Sequence, residues 1–263
     1  MKAWKRIHIT KKRAVCGVLG LLLLAAAYMG VPRAAEKVFA VAEGERRLPI
    51  YCVQTDKPQV SVSFDAAWGA DDTDELLRIL KENDVKATFF LCGYWVEKYP
   101  EEVKKIAAEG HDLGNHSATH PHMSRISSEE IAQELQKCHE NVKKLTGVEM
   151  ELFRPPFGEY DNHVIETAEQ NGYYTIQWDV DSLDWKEQGA EAEIRQVLEH
   201  KHLGNGSIIL FHNDAKYTPK VLDTILKGIK EKGFEIVPIS RLIHRENFEM
   251  DHEGRQILKG KEA

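Results

Sequence analysis

Short apolar runs alternate with longer amphipathic segments along most of this chain. The runs have the length of buried strands, and the segments between them repeat apolar residues at helical spacing. The predicted strands cover residues 48–53, 60–64, 87–91, 152–153, 173–178, 208–211 and 235–238. The predicted helices cover residues 73–82, 97–109, 127–145, 162–170, 191–200 and 218–232. This alternation predicts an α/β protein in which helices cover a parallel sheet.

Two of the predicted helices carry clear end signals. Ser127 and Glu130 have the spacing of a capping box, in which each side chain binds the backbone N–H of the other residue. Gly147 follows the end of that helix, and Gly110 follows the helix of residues 97–109.

Polar residues follow several of the predicted strands. They are Asp65, Arg154, Asp181, Asp184 and His212. In α/β proteins the carboxyl ends of parallel strands lie at one edge, where ligands bind and catalysis takes place. These positions therefore predict a single converging site.

Two histidines four residues apart, His116 and His120, are followed by Pro121. On one turn of helix such a pair shares a face, and neutral imidazole is a common ligand of zinc-like cations. The spacing predicts half of a metal site.

Five short motifs occur in order between Val60 and Ile243. They are Ser63-Phe-Asp65, His116-Ser-Ala-Thr-His-Pro121, Arg154-Pro-Pro-Phe-Gly158, Asp181-Ser-Leu-Asp-Trp185 and Leu210-Phe-His212. At these residues the chain resembles the polysaccharide deacetylase family, the carbohydrate esterases with the NodB homology domain. The Asp65-Ala-Ala-Trp-Gly69 form of the first motif is most similar to the sporulation-associated branch. The resemblance implies a distorted (β/α) barrel with fewer than eight repeats.

The resemblance also implies a chemistry, the removal of N-acetyl groups from N-acetylhexosamine units of a cell-wall polysaccharide. His116 and His120 would hold a divalent metal, with zinc expected, and Asp65 would take a proton from the attacking water. His212 would protonate the leaving nitrogen. The resemblance implies that Arg154 orients Asp65 and that Asp184 orients His212. The expected substrate-binding residues are Phe157, through its backbone N–H, and Trp185 and Leu210.

The chain departs from the family at Ala66, where most active members have an aspartate that is the third metal ligand. Catalytic zinc sites usually have three protein ligands, so a two-histidine site should hold metal more weakly. The residues that could fill the gap are Asp71, Asp72, Asp74, Asp112 and His122, and an extra water is a further alternative.

Other functions stay open at this point. Ala66 is compatible with a weakened relative that binds wall glycan without hydrolysing it. A glycosidase could use a carboxylate pair such as Asp65 and Asp184, although it would not need the histidines. Taken singly, Asp65 could cap a helix, His212 could be an interior histidine, and Arg154 could form a structural ion pair.

The amino terminus has the pattern of an export segment. Residues 1–13 carry six basic residues and no acid, and residues 14–31 are uncharged and mainly apolar. This pattern predicts an export signal or, as the preferred interpretation, an uncleaved membrane anchor, although Ala40-Val-Ala42 could serve as a cleavage site. Beyond residue 31 the chain has 29 basic and 42 acidic residues, a net charge of −13 that argues against nucleic-acid binding.

The resemblance implies a deacetylase domain over residues 58–245. Residues 32–57 are then expected to be a linker with an amino-terminal strand, and residues 246–263 a charged tail. Apart from Cys16 in the leader, the chain has Cys52, Cys92 and Cys138, which allow one disulfide with a free thiol, or three buried thiols. The sequence leaves the oligomeric state open.

Overall fold

A curved parallel sheet organises the part of the chain that the computed structural model describes, residues 46–260. In chain order the strands are β1 (Cys52–Val53), β2 (Gln59–Ala66), β3 (Thr88–Leu91), β4 (Asp112–Asn115), β5 (Leu152–Phe153), β6 (Tyr174–Thr175), β7 (Val180–Asp181), β8 (Ile208–His212), β9 (Glu235–Ile236), β10 (Phe248–Met250) and β11 (Arg255–Leu258). The helices are α1 (Thr73–Glu82), α2 (Gly93–Lys98), α3 (Pro100–Ala108), α4 (Ser128–Thr146), α5 (Asn162–Gln170), α6 (Ala190–Leu198), α7 (Thr218–Glu231) and α8 (Ile239–Leu242).

The main sheet has the order β6-β5-β4-β3-β2-β8-β7, and β9 pairs with the start of β2. Every pairing in it is parallel. The described helices lie between successive strands, as the alternation predicts. The expected distorted (β/α) barrel with fewer than eight repeats is therefore confirmed.

Strand β2 is buried on both faces. Its residues Val60, Val62 and Phe64 belong to the main apolar core, where Phe64 stacks on Phe89 and Phe211. The hydroxyls of Ser61 and Ser63 point the other way and donate to the carbonyls of Val237 and Ile209, at 2.7 and 2.8 Å. The two serines are thus buried with their hydrogen bonds made, and β2 is fixed at the centre of the sheet.

The end signals of the longest helix are confirmed. The Ser127 hydroxyl accepts from the N–H of Glu130, and the Glu130 carboxylate accepts from the N–H of Ser127. Gly147 follows α4 with φ of 76°, a left-handed conformation that glycine adopts without strain. The bounds predicted for α1 and α5 also agree with the structure.

The single helix predicted over residues 97–109 is wrong. The structure has two helices, α2 and α3, which meet at Tyr99 with φ of −126° and ψ of 55°. Pro100 explains the break, because a residue before proline is driven out of the helical region and proline favours the first turn of a new helix.

A small second sheet has the order β1-β11-β10, and two of its strands, β10 and β11, lie in the segment expected to be a charged tail. Strand β1 pairs in parallel with β11, and β10 pairs antiparallel with β11. The buried Gln256 side chain anchors β11, because it accepts from the N–H of His244 and donates to the His244 carbonyl, each at 2.7 Å. The predicted strand at residues 48–53 is reduced to β1 and a bridge from Ile50 to Ile176.

Cys52, Cys92 and Cys138 are free and buried, which confirms the three-thiol alternative. The export segment, with Cys16 and Ala40 to Ala42, lies outside the described residues. Among residues 46–260, no helix has the length and apolar character needed to cross a membrane.

The capping box gives a first prediction. Ser127→Ala removes the hydroxyl that accepts from the Glu130 N–H, so the free energy of unfolding should fall by about 1 kcal/mol. Urea denaturation followed by circular dichroism would measure the change. Ser128→Ala, one residue on and equally exposed, is the matched control and should leave stability nearly unchanged. Equal losses in the two variants would contradict the capping role.

Candidate active site

The carboxyl edge of the sheet brings the predicted site residues together. Asp65, near the end of β2, is paired in register with His212 at the end of β8. His116 directly follows β4, and Arg154 directly follows β5. In sheet order, the strand before His116 and the strand carrying His212 lie on opposite sides of β2. Asp65 therefore stands between the histidine pair and His212.

Arg154 holds Asp65 through a fully buried ion pair. One guanidinium nitrogen lies 2.7 Å from Asp65 Oδ1, and another donates to the Gln177 carbonyl at 3.1 Å. The guanidinium also lies over the ring of Phe90, 4.1 Å from its centroid. Burial is the largest single influence on Asp65 and disfavours its charged form, but the charge and hydrogen bond of Arg154, with the charges of His116 and His212, together outweigh it and hold the pKa of Asp65 below its usual value.

The same residue orients His116 through its backbone. His116 Nδ1 lies 2.7 Å from the Arg154 carbonyl, which can only accept, so Nδ1 carries the proton. Nε2 is left with its lone pair and lies 3.7 Å from Asp65 Oδ2. Burial lowers the pKa of His116, which favours the neutral form that binds metal.

His116 and His120 meet through a strained loop, and the helical turn expected for them is wrong. Ser117 and His120 have positive φ, 65° and 58°, and the His120 N–H donates to the Ser117 hydroxyl at 2.9 Å. The imidazole rings lie 4.9 Å apart at 72°. Burial and the neighbouring His116 lower the pKa of His120 to about 4. The loop thus brings together two imidazoles that stay neutral at neutral pH.

On the other side of Asp65, Asp184 forms two hydrogen bonds with His212. Its Oδ1 accepts from His212 Nδ1 at 2.7 Å, and its Oδ2 accepts from the His212 backbone N–H at 2.6 Å. Asp184 is placed for this by Leu183, whose φ of 55° turns the chain after β7. Burial alone would lower the pKa of His212, but the Asp184 hydrogen bond and charge outweigh it and raise that pKa.

The three expected substrate-binding residues differ in exposure. Phe157 is 57% exposed, has φ of 60°, and contacts the rings of His120 and His122. Trp185 is also 57% exposed and adjoins Asp184. Leu210 is only 2% exposed, within β8, so it has almost no surface to offer a ligand. The side chains of Phe157 and Trp185 are accessible to a ligand. The substrate-binding role expected of the Phe157 backbone N–H stays a prediction.

Trp68 is a site residue that the sequence interpretation missed. Its ring lies between His120 and His212, with centroid distances of 6.2 and 5.8 Å, and the residue is 56% exposed. Asn213 holds the backbone around it by accepting from the N–H of Ala67 and donating to the Gly69 carbonyl. The tryptophan inside the first motif was the available signal.

Comparisons with known proteins agree with this geometry. Residues 53–176 match the family model described as polysaccharide deacetylase. A peptidoglycan-N-acetylglucosamine deacetylase of Bacillus cereus is 34% identical over 188 residues, which cover 70% of this chain and 68% of that protein. The chain belongs to the polysaccharide deacetylase family.

The chain is also similar to two further proteins. The uncharacterised Bacillus subtilis protein YlxY is 36% identical over 195 residues, which cover 74% of this chain but only 60% of that one. The solved structure of a Bacillus anthracis protein described as a CE4 family pseudoenzyme has a TM-score of 0.71 at 32% identity, covering 81% and 73% of the two chains. A mutant of that protein, described as having restored enzymatic activity, matches at 36% identity.

Ala66 stands where the resemblance to the polysaccharide deacetylases implies a third metal ligand. The side chain is fully buried at the end of β2. Among residues 46–260, no group of three or more histidine, cysteine, aspartate or glutamate side chains is arranged to hold a metal ion. The two imidazoles, one with its tautomer set by a backbone carbonyl, fit a cation that prefers nitrogen ligands, but they supply only two of the usual three.

In the part of the chain that the structure describes, none of the residues considered as replacements joins His116 and His120 in a group of three that could hold a metal ion. Asp112 begins β4, about 10 Å of strand from the end that His116 follows, and it accepts from Ser240. The other partners are the Asp214 N–H for Asp72, Lys105 for Asp74, and Glu159 for His122, while Asp71 is exposed. None of these side chains fills the gap beside Ala66.

The buried ion pair gives a second prediction. Arg154→Met leaves the Asp65 carboxylate buried without its partner, so the free energy of unfolding at pH 7 should fall by about 3–5 kcal/mol. Adding Asp65→Asn should recover most of the loss, because the unpaired charge is then gone. Urea denaturation of the three proteins would measure this.

Arg78→Met is the matched control for that series. Arg78 pairs with Glu75 and Glu82 on the exposed face of α1, so its loss should cost far less. If Arg154→Met lowers the free energy of unfolding no more than Arg78→Met does, the stabilising role of the Asp65–Arg154 pair is contradicted.

Proposed function

We propose that this protein is a metal-dependent hydrolase that removes N-acetyl groups from N-acetylhexosamine units of cell-wall peptidoglycan. The observation that carries the proposal is the pair of buried, charge-coupled contacts beside the histidines. Asp65 is held by Arg154 and His212 is held by Asp184, one on each adjoining strand. Amide hydrolysis needs both a proton acceptor and a proton donor, and these two pairs supply candidates for each.

Asp65 is the proton acceptor in this proposal. Arg154 keeps the carboxylate ionised and fixes Oδ1, so Oδ2 is the oxygen that faces His116. A water lying beside His116 would be within reach of that oxygen. Since the pair is rigid and buried, the acceptor needs little reorganisation when the proton moves.

His212 is the proton donor. Asp184 accepts the hydrogen bond from Nδ1, which leaves Nε2 to protonate the leaving nitrogen. The Asp184 hydrogen bond and charge raise the pKa of His212, which favours the protonated imidazole that a general acid requires. An amine leaves poorly without such a proton.

His116 and His120 are the residues that would hold the divalent cation, with zinc the expected ion. When bound, such a cation polarises a carbonyl and makes water more acidic. With Ala66 in place of a third protein ligand, we propose that the ion is held weakly.

Exposed aromatic rings surround this edge and suit a sugar substrate. Trp68, Phe157 and Trp185 are each more than half exposed. Aromatic faces pack well against the apolar face of a pyranose ring. The Bacillus cereus relative is named for peptidoglycan N-acetylglucosamine, which supports a wall glycan as substrate. Such a function requires export, which residues 1–31 would direct as a signal or an anchor.

A second candidate is a glycan-binding relative that does not turn its ligand over. Ala66 favours it, as does the similarity to the Bacillus anthracis structure described as a pseudoenzyme. A glycosidase is disfavoured by the contacts themselves, because Asp65 is committed to Arg154 and Asp184 to His212. Neither carboxylate is free to protonate a glycosidic oxygen.

Acetate release from purified peptidoglycan, with added zinc, separates the three functions. The proposed hydrolase releases acetate without new reducing ends, a glycosidase gives reducing ends without acetate, and a binding protein gives neither. Asp65→Asn is the control that lacks the proton acceptor and should release no acetate. Acetate release by the parent that equals release by Asp65→Asn would rule out the proposal.

The third prediction concerns the missing ligand. Ala66→Asp should bind zinc at least about tenfold more tightly than the parent, because a buried carboxylate beside two imidazoles completes the usual set. Calorimetric titration would measure the affinity. The gain should be accompanied by equal or faster acetate release.

Ala66→Asn is the matched control, since it adds nearly the same volume without the charge. Its zinc affinity should exceed that of the parent by no more than a small factor. Equal zinc affinities for Ala66→Asp and Ala66→Asn would contradict the view that Ala66 marks a lost carboxylate ligand.

A further inference from the structure

A buried hydrogen-bond chain continues behind the His212–Asp184 pair. The hydroxyl of Thr218, at the start of α7, lies 3.2 Å from Asp184 Oδ2 and 2.8 Å from Glu193 Oε1 on α6. Glu193 is only 4% exposed, and Thr218 is fully buried. The chain therefore runs from His212 through Asp184 and Thr218 to a second carboxylate that the proposed chemistry does not use.

The hydroxyl of Thr218 has one hydrogen but two carboxylate neighbours. It can donate to Asp184 or to Glu193, but not to both. When Glu193 is ionised, its shorter distance favours donation to Glu193. When Glu193 is protonated, it can donate to the Thr218 oxygen, and the hydroxyl hydrogen is then free for Asp184. The protonation of Glu193 thus decides how many donors Asp184 has.

Each donor to Asp184 weakens its hold on the imidazolium. A carboxylate that already accepts the His212 backbone N–H, the Trp185 N–H and a hydroxyl has less charge to offer His212 Nδ1. Removing the hydroxyl from this set should strengthen the Asp184–His212 interaction.

We propose that Glu193, acting through the Thr218 hydroxyl, is a positioning residue that sets how firmly Asp184 holds the proton of His212. Its importance for catalysis rests on the proposed function, in which His212 is the acid. Burial raises the pKa of Glu193 to about 7, so both of its protonation states are populated near neutral pH.

The charges next to this hydrogen-bond chain favour the protonated forms of both Glu193 and His212. The charge that faces Glu193 from the neighbouring elements is that of Asp184, and it works with burial to raise the Glu193 pKa. The charges that face His212 are those of Asp184, Asp65 and Asp181, and all three favour its protonated form. An ionised Glu193 that draws the hydroxyl away from Asp184 acts in the same direction.

A titration of His212 by NMR tests this inference, and it is the fourth prediction. The full-length protein, labelled at histidine and without added metal, would be titrated, and the His212 signal would be assigned by its loss in His212→Asn. In Glu193→Gln the hydroxyl turns to Asp184, so the pKa of His212 should fall by about 0.3 pH unit or more.

Glu193→Asp separates the hydroxyl chain from a simple effect of charge. The shorter side chain keeps the negative charge but withdraws it from Thr218, so the hydroxyl chain again predicts a fall of about 0.3 pH unit or more. A direct charge effect predicts no fall. Thr218→Ser keeps the hydroxyl, so its His212 pKa should equal that of the parent.

Glu191→Gln is the matched control on the same helix, because Glu191 has a side chain that is 91% exposed and should not affect His212. A His212 pKa that falls by less than that margin in Glu193→Asp, or in Glu193→Gln, would overturn the inference. If one of the two variants does not fold, the other decides. Acetate release plays no part in the measurement, so a protein that shows the shift but releases no acetate would refute only the proposed function.

Discussion

The Asp65–Arg154 ion pair is the contact on which the rest of the site depends. A guanidinium and a carboxylate removed from water stabilise a fold only when each finds its partner, and loss of either leaves a costly buried charge. Arg154 joins β2 to β5 through this pair, reaches Gln177 through a second nitrogen, and orients His116 through its carbonyl. The side chain and the backbone of Arg154 thus position both the proposed proton acceptor and a candidate metal ligand.

The in-register pairing of β2 and β8 extends that arrangement to the acid. Because Asp65 and His212 are register partners, the proposed proton acceptor and the proposed proton donor are fixed by the backbone ladder of the two strands. Neither buried pair involves residue 66. A change at residue 66 therefore leaves both buried pairs in place, in a chain that is similar both to a named peptidoglycan deacetylase and to a structure described as a pseudoenzyme.

Much of this site could be predicted from the sequence, because its residues follow buried strands at motif spacing. Strand β4 was missed because Asp112-Leu-Gly-Asn115 has a single large apolar residue. The loop that joins His116 to His120 was taken for a helical turn, since spacing does not reveal positive φ.

Glu193 was beyond prediction for a different reason. Its partner Thr218 follows 25 residues later on another helix, and a glutamate in an amphipathic pattern looks like any solvated position. Only the packing of α6 against α7 shows that it is buried. A residue that acts through a neighbour belongs to no sequence motif, so the hydrogen-bond chain behind His212 is visible only in the folded protein.

Diffraction from crystals grown with zinc, recorded on both sides of the zinc absorption edge, tests the central claim most directly. The account predicts an anomalous peak about 2.1 Å from His116 Nε2 and from a ring nitrogen of His120, next to Asp65. The same crystals of His116→Ala should lack it. A peak bound only at other residues, or none at saturating zinc, would contradict the metal centre on which the proposed chemistry relies.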